Sequence, residues 1–220
     1  MNSRPRRRMD TDQRRRQLVA VALELFSEHP PEAVSLDDVA EAAGISRPLV
    51  YHYFAGKQSL YEATLRRAAD DLTELLTASR EVPPGEGLLA VAGRFLDFVE
   101  EHGTGRFTLL RGHPELIDEV REAAYGQLLG HLGVETPGPR LEVVLRSWIS
   151  LAETTARWWP DGRHIPRAEL ELQLVHTFVA LTSVGAAHDD GVAAVLRRIL
   201  DEEPADGPFT EAATALAASW

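Results

Sequence analysis

Between residues 44 and 60 the chain reads GISRPLVYHYFAGKQSL, setting Tyr51, His52, Tyr53 and Phe54 side by side ahead of Lys57, the only lysine in 220 residues. A buried helix would carry aliphatic residues in place of the histidine and tyrosines, and a solvated one would carry charges. These side chains instead suit an anionic partner that bears bases. Arg47 can present two parallel N–H groups to O6 and N7 of guanine, and Pro48 and Leu49 can touch thymine methyl groups. The Tyr51 hydroxyl and an imidazole N–H of His52 are short-reach donors for phosphate oxygens. Lys57 follows a glycine at a helix start, where unpaired backbone N–H groups already favour an anion.

Catalytic chemistry finds less support. With no cysteine, the chain has no disulfide, thiolate metal site or cysteine nucleophile. His102, His113, His131, His164, His176 and His188 stand singly, and none belongs to an H-E-x-x-H pair. His188-Asp189-Asp190 comes nearest to a metal set, but at a helix end a solvated turn is the simpler reading. There is no G-x-S-x-G elbow and no phosphate-cradling glycine loop. The residues point to no enzyme, no metal and no cofactor.

A net charge of −11 runs against nucleic-acid binding until its distribution is considered. Residues 1–16 hold seven arginines against two aspartates, so cationic charge is gathered at the N-terminus. The acidic remainder would stay away from phosphates. Hydrophobic residues at 44% and charged residues at 26% describe an ordinary globular chain. No apolar run is long enough for a membrane span, and MNSRPRRRMD lacks the apolar stretch of a secretory signal, so a cytoplasmic protein is expected.

The periodicity is helical nearly everywhere, which predicts an all-α fold. Residues 1–10 read as a disordered basic arm, which could touch DNA, as other N-terminal arms do, or remain a solvated tail. A first helix is expected over 11–29, ended by Pro30-Pro31. Ser35-Leu36-Asp37-Asp38 fits a capping box that opens a short helix to about Ala43. Gly44 supplies a turn, and Ser46 caps a third helix with Pro48 as its second residue, where a missing N–H costs nothing. Leu36, Val39, Ala40 and Ala43 form one apolar face, against which Ile45 and Val50 would pack. Two short helices joined by a glycine turn make the unit that lays its second helix in a major groove. Tyr53 and Phe54 read as glue between the third helix and a long fourth one over 57–80. Pro83-Pro84-Gly85 marks a segment boundary, and further helices are expected near 86–102, 105–111, 114–132, 138–159, 166–188 and 190–202. A weakly amphipathic tail follows.

GISRPLVYHYFAGKQSLYEATL, with SLDDVAEAAG before it, resembles the recognition segment of the TetR family of bacterial regulators across about residues 12–65. The shared pattern is a glycine turn, a small hydroxyl residue, a variable triplet, Tyr beside His or aromatic residues, Phe, and a Gly–Lys pair. Tyr53 departs from it where a second histidine is frequent, and so does Ala55 before Gly56. By position, the resemblance implies base reading by Arg47, Pro48 and Leu49 and phosphate contacts from Ser35, Ser46, Tyr51, His52 and Lys57. It further implies a DNA-binding domain over 11–70 and a helical effector-binding and dimerisation domain over 71–220.

Past residue 80 the resemblance fades and helix faces take over. Phe95, Phe98, Phe107, Tyr125, Trp148 and Trp159 are the aromatics that could line a pocket for an apolar or amphipathic small molecule, although each also reads as plain core. The helices near 138–159 and 166–188 are the candidate homodimer elements; an intramolecular bundle would look the same. Together these readings describe a repressor that binds a palindromic operator in double-stranded DNA as a homodimer and is released by an unidentified effector. The rival is a helical ligand-binding or scaffold dimer without specific DNA binding.

Overall fold

In the computed structural model the described residues are 10–76, 82–102, 105–110, 112–159 and 165–218, apart from the side chain of residue 107. Residues 1–9 of the expected 1–10 arm, the end of the predicted fourth helix over 77–80, and the side chain of Phe107 therefore lie outside the described residues. All regular structure among the described residues is helical, and none of these helices is long and apolar enough to cross a membrane. The chain divides into two compact units, one made of residues up to Asp70 together with Gly105–Leu116, the other of Asp71–Thr104 and residues from Ile117 onward.

In the first unit, α1 (Thr11–Glu28) starts at Asp10, whose carboxylate accepts from the Thr11 N–H at 2.7 Å. Leu18, Val19, Ala22, Leu23 and Phe26 recur every three or four residues and are buried as one stripe. A single 3₁₀ turn, Pro31–Ala33, which the periodicity does not reveal, leads to α2 (Leu36–Ala42). The capping box is present: the Ser35 hydroxyl accepts from the Asp38 N–H, and the Asp38 carboxylate accepts from the Ser35 N–H. Gly44 lies at φ +64°, with its N–H on the Glu41 carbonyl and the Ile45 N–H on the Ala40 carbonyl. That pair of bonds closes a helix on a left-handed residue. Then come α3 (Arg47–Tyr53), with Pro48 in its first turn, and α4 (Lys57–Leu76).

The same unit includes α6 (Gly105–Leu110). A Cβ at Gly105 would lie 2.4 Å from the Ser27 carbonyl oxygen, so only glycine permits this approach to α1. Beside it the buried Arg106 donates to Glu24 at 2.7 Å. Further on, His113 Nε2 lies 3.4 Å from the Tyr61 hydroxyl, and Tyr61 meets Phe26 edge-on.

The second unit is built around α9 (Arg167–Ala186), against which α5 (Pro84–His102), α8 (Pro139–Trp158), α10 (Asp190–Glu202) and α11 (Pro208–Ala218) pack. It also receives α7 (Pro114–His131) from Ile117 onward. Trp148, Phe178 and Phe209 form a chain of edge-on rings, with centroid separations of 5.4 and 6.3 Å. Arg167 ties α9 to α5 through Asp97, Glu100 and the Gly93 carbonyl. The tail that read as weakly amphipathic is therefore structural, since Phe209 of α11 is fully buried. Pro83-Pro84-Gly85 opens α5, and a Cβ at Gly85 would meet Glu203 at 2.2 Å and the Phe209 ring at 3.1 Å.

Burial of Glu203 in this corner raises its pKa above the ordinary 4.5, against the opposing pull of its bond from the Phe209 N–H. An acid whose folded value is raised favours the folded state while protonated, and that contribution is lost as pH rises through the folded value. Thermal unfolding followed from pH 4 to pH 7 should therefore show Glu203→Gln gaining stability relative to the parent as pH rises. A constant difference across that range would refute the assignment.

Candidate nucleic-acid interface

A seven-residue helix is far too short to be stable alone, so α3 is held by what it buries. Val50 is 0% exposed and Phe54, which ends the helix, is 1% exposed. The Arg15 guanidinium sits over the Phe54 ring at 5.0 Å. With that face committed, Arg47, Pro48, Tyr51 and His52 are left exposed, whereas Leu49, Tyr53 and the packing residue Ile45 are half-buried.

The Arg47 guanidinium donates to Asp37 on α2 at 2.9 Å and towards the Tyr51 hydroxyl at 3.4 Å, and it lies 5.6 Å from the Tyr51 ring centroid. The Tyr51 hydroxyl first, and then the Asp37 charge, raise the pKa of this already strong base. His52 meets Tyr53 edge-on at 5.1 Å. Ser46 takes the N-cap position of α3 without a side-chain capping bond, so its exposed hydroxyl is not spent on the helix. Ser35 differs: its hydroxyl both accepts from the Asp38 N–H and donates to the Asp38 carboxylate, so a phosphate contact there would have to take the hydroxyl proton from Asp38. Those bonds from Ser35 hold the Asp38 pKa low, with smaller help from the charges of His29 and Lys57. Lys57, half-buried at the first turn of α4, directs its ammonium to the Glu32 carbonyl at 3.4 Å. Arg47 and Tyr51 thus form one cluster, and Lys57 shares a neighbourhood with the Ser35–Asp38 cap.

Sequence reasoning missed Asp37. It passes as a first-turn acid favoured by the α2 dipole, and nothing in the spacing pairs positions 37 and 47 until the Gly44 turn is folded.

The pocket candidates stand in the second unit, apart from Phe107. Phe98 packs on His102, Tyr125 lies under the Arg146 guanidinium, and Trp148 meets Phe178 and donates to the Leu174 carbonyl. Trp159 is buried and donates to the Ile165 carbonyl, while Phe95 is half-buried. A cleft of about 350 Å³ in the same unit is lined by Leu132, Thr136, Leu141, Asp189, Val195 and Arg198, among others, and by none of these aromatics.

The family model of bacterial regulatory proteins of the tetR family matches residues 18–64, and that of the tetracyclin repressor-like C-terminal domain matches residues 84–181. The crystal structure of a TetR-family transcriptional regulator from Streptomyces coelicolor is 56% identical in sequence, aligns over 96% of this chain and 99% of its own, and has a TM-score of 0.86. The chain belongs to the TetR family. As a member it is a DNA-binding helix-turn-helix transcriptional regulator. It is 27% identical to the transcriptional activator FasR of Mycolicibacterium smegmatis over 69% of this chain and 74% of that protein. It is 41% identical to the repressor KstR2 of Rhodococcus jostii, over only 27% of this chain and 29% of that one. A TetR-like regulator from Rhodococcus sp. RHA1, 22% identical with a TM-score of 0.62 over 83% of this chain, shares the fold.

The Gly44 turn sets how the TetR-type α3 leaves α2. A Cβ there meets nothing within 4 Å, so Gly44→Ala adds only left-handed strain. The variant should lose about 1–2 kcal/mol of stability in thermal or denaturant unfolding, with Gly44→Asn losing less. A neutral Gly44→Ala would show that the turn does not need positive φ.

Proposed function

We propose that this protein is a repressor that binds a palindromic operator as a homodimer and is released by a small apolar or amphipathic effector in the cytoplasm. The observation that carries the DNA half is the division of α3, where Val50 and Phe54 anchor the helix and Arg47, Pro48, Tyr51 and His52 face outward. In this reading Arg47, Pro48 and Leu49 read bases, and Ser35, Ser46, Tyr51, His52 and Lys57 meet phosphates.

Exposed apolar surface supports the dimer. Among the described residues the large exposed hydrophobic side chains are Tyr51 on α3 and four others: Val143 and Trp158 on α8, and Leu172 and Val184 on α9. Val143 and Val184 are about two-thirds exposed, at 64% and 67%. Pairing α8 and α9 with their symmetry mates would cover all four and give the twofold axis that a palindrome requires.

An effector would act in the second unit, at the aromatics Phe95, Phe98, Tyr125, Trp148 and Trp159; Phe107, the sixth candidate, belongs to the first unit. The polypeptide passes between the units within α4, ahead of α6 and within α7, so a rearrangement of the second unit acts on the first through three covalent links. The shift is bounded by the effector's preference for one state, about 1–3 kcal/mol.

Selection from a random duplex pool, with sedimentation of the complex, tests the whole reading. The expected outcome is a palindrome bound by two protomers, with half-sites about 34–36 Å apart or a multiple of that. Lys57→Ala should weaken all sequences alike and lower the salt slope by about one unit, whereas Arg47→Ala should cost about 1–3 kcal/mol and blur one operator position. No enriched sequence would leave the helical ligand-binding dimer as the better account. A strictly monomeric mass at micromolar concentration would overturn the twofold arrangement. A library screen by tryptophan fluorescence tests the effector, and complete silence would remove it.

A further inference from the structure

Arg47 is an unusual residue for the first position of a helix, where the macrodipole disfavours a cation. It also has a long side chain that loses rotamer freedom when fixed. Two neighbours offset both costs. Asp37 takes one N–H of the guanidinium at 2.9 Å, and Tyr51 supplies an oxygen at 3.4 Å and a ring face. Five N–H donors less two leave enough for a two-point contact with a base edge. The Asp37–Arg47 pair is more than half exposed on both sides, at 56% and 58%, and exposed pairs add little to stability. Stability therefore gives little reason for the pair, and its bearing on what Arg47 can bind is the property to consider.

A carboxylate on a surface that meets DNA repels phosphates. A lone arginine attracts any phosphate it reaches, and such contacts tighten every sequence equally. With Asp37 attached, the pair is neutral overall and the guanidinium is already aimed. A phosphate then gains little from Arg47, whereas a guanine edge, which offers O6 and N7 in fixed geometry, still gains its two hydrogen bonds.

Resting on the DNA-binding reading above, we propose that Asp37 is a specificity-determining residue: it fixes Arg47 as a base reader and suppresses binding to non-cognate DNA. No base contact by Asp37 itself is needed, so it is a positioning residue.

The test compares the parent with Asp37→Asn, which keeps the side-chain size and the first-turn polarity, on the selected operator duplex and on poly(dA-dT), which has no guanine-like O6/N7 edge. The ratio of the two affinities should fall about tenfold, towards the lower end of what one arginine–guanine contact discriminates. Most of that fall should come from tighter poly(dA-dT) binding, while the melting temperature barely moves. In an Arg47→Ala background, Asp37→Asn should leave the ratio unchanged. An unchanged ratio in the single variant refutes the proposal, as does an equal fall with Arg47 absent, which would make Asp37 a general repulsive charge. A readout without DNA guards against a failed selection. The Arg47 Nε–H NMR signal should become more mobile in Asp37→Asn and remain restrained in the parent. Equal mobility in both would refute the clamp even if no operator were found, and a restrained parent that enriches no sequence would count against the DNA-binding reading alone.

Discussion

A helix of two turns has too few internal hydrogen bonds to hold its own shape, so α3 exists only because Val50 and Phe54 are buried beneath it. Every property of the interface follows from that constraint. The buried positions fix the rotation of the helix about its axis, and the rotation decides which residues face outward. The left-handed turn at Gly44 fixes its departure from α2. Arg47 then falls beside Asp37, and Tyr51 comes beneath the guanidinium, without either acid or tyrosine contributing to the core.

The first unit is not contiguous in the chain. Its four N-terminal helices are completed by a segment beginning at Gly105, placed by a glycine whose missing side chain admits the Ser27 carbonyl and by the Arg106–Glu24 pair. Arg106 is buried while Glu24 is largely exposed, so the pair contributes mainly by giving a desolvated guanidinium a counter-charge. The second unit has a more ordinary logic. One apolar helix, α9, is covered on several sides, and its aromatic chain from Trp148 through Phe178 reaches Phe209 near the end of the described residues.

Much of the first unit was legible in the sequence because its signals are local. The capping box at Ser35, the turn at Gly44 and the proline at position 48 each act within a few residues, and the structure has all three. Helix positions in the second half also followed from periodicity and from Pro and Gly breaks. What could not be read were pairings that depend on how distant segments meet. The bond from Arg47 to Asp37 spans the turn, that from Arg106 to Glu24 spans 82 positions, and Phe209 sits in a tail whose pattern is too weak to announce burial. A six-residue helix such as α6 has too few positions to show a face, so its attachment to α1 left no periodic trace. The aromatics of the second unit show the same limit, since their spacing places them on helices and says nothing about which rings adjoin.

The late completion of the first unit has a consequence for synthesis. When α1 emerges from the ribosome, the segment that will cover its Ser27 face has not yet been translated. At about 5–20 residues per second, the 82 positions separating Glu24 from Arg106 take several seconds to make. During that interval α1 is exposed without its Gly105 flank, while the whole of α5 passes through the tunnel. A nascent chain of this kind cannot complete its first unit in strict N-to-C order, and α5 must leave the ribosome before α6 can cover the Ser27 end of α1.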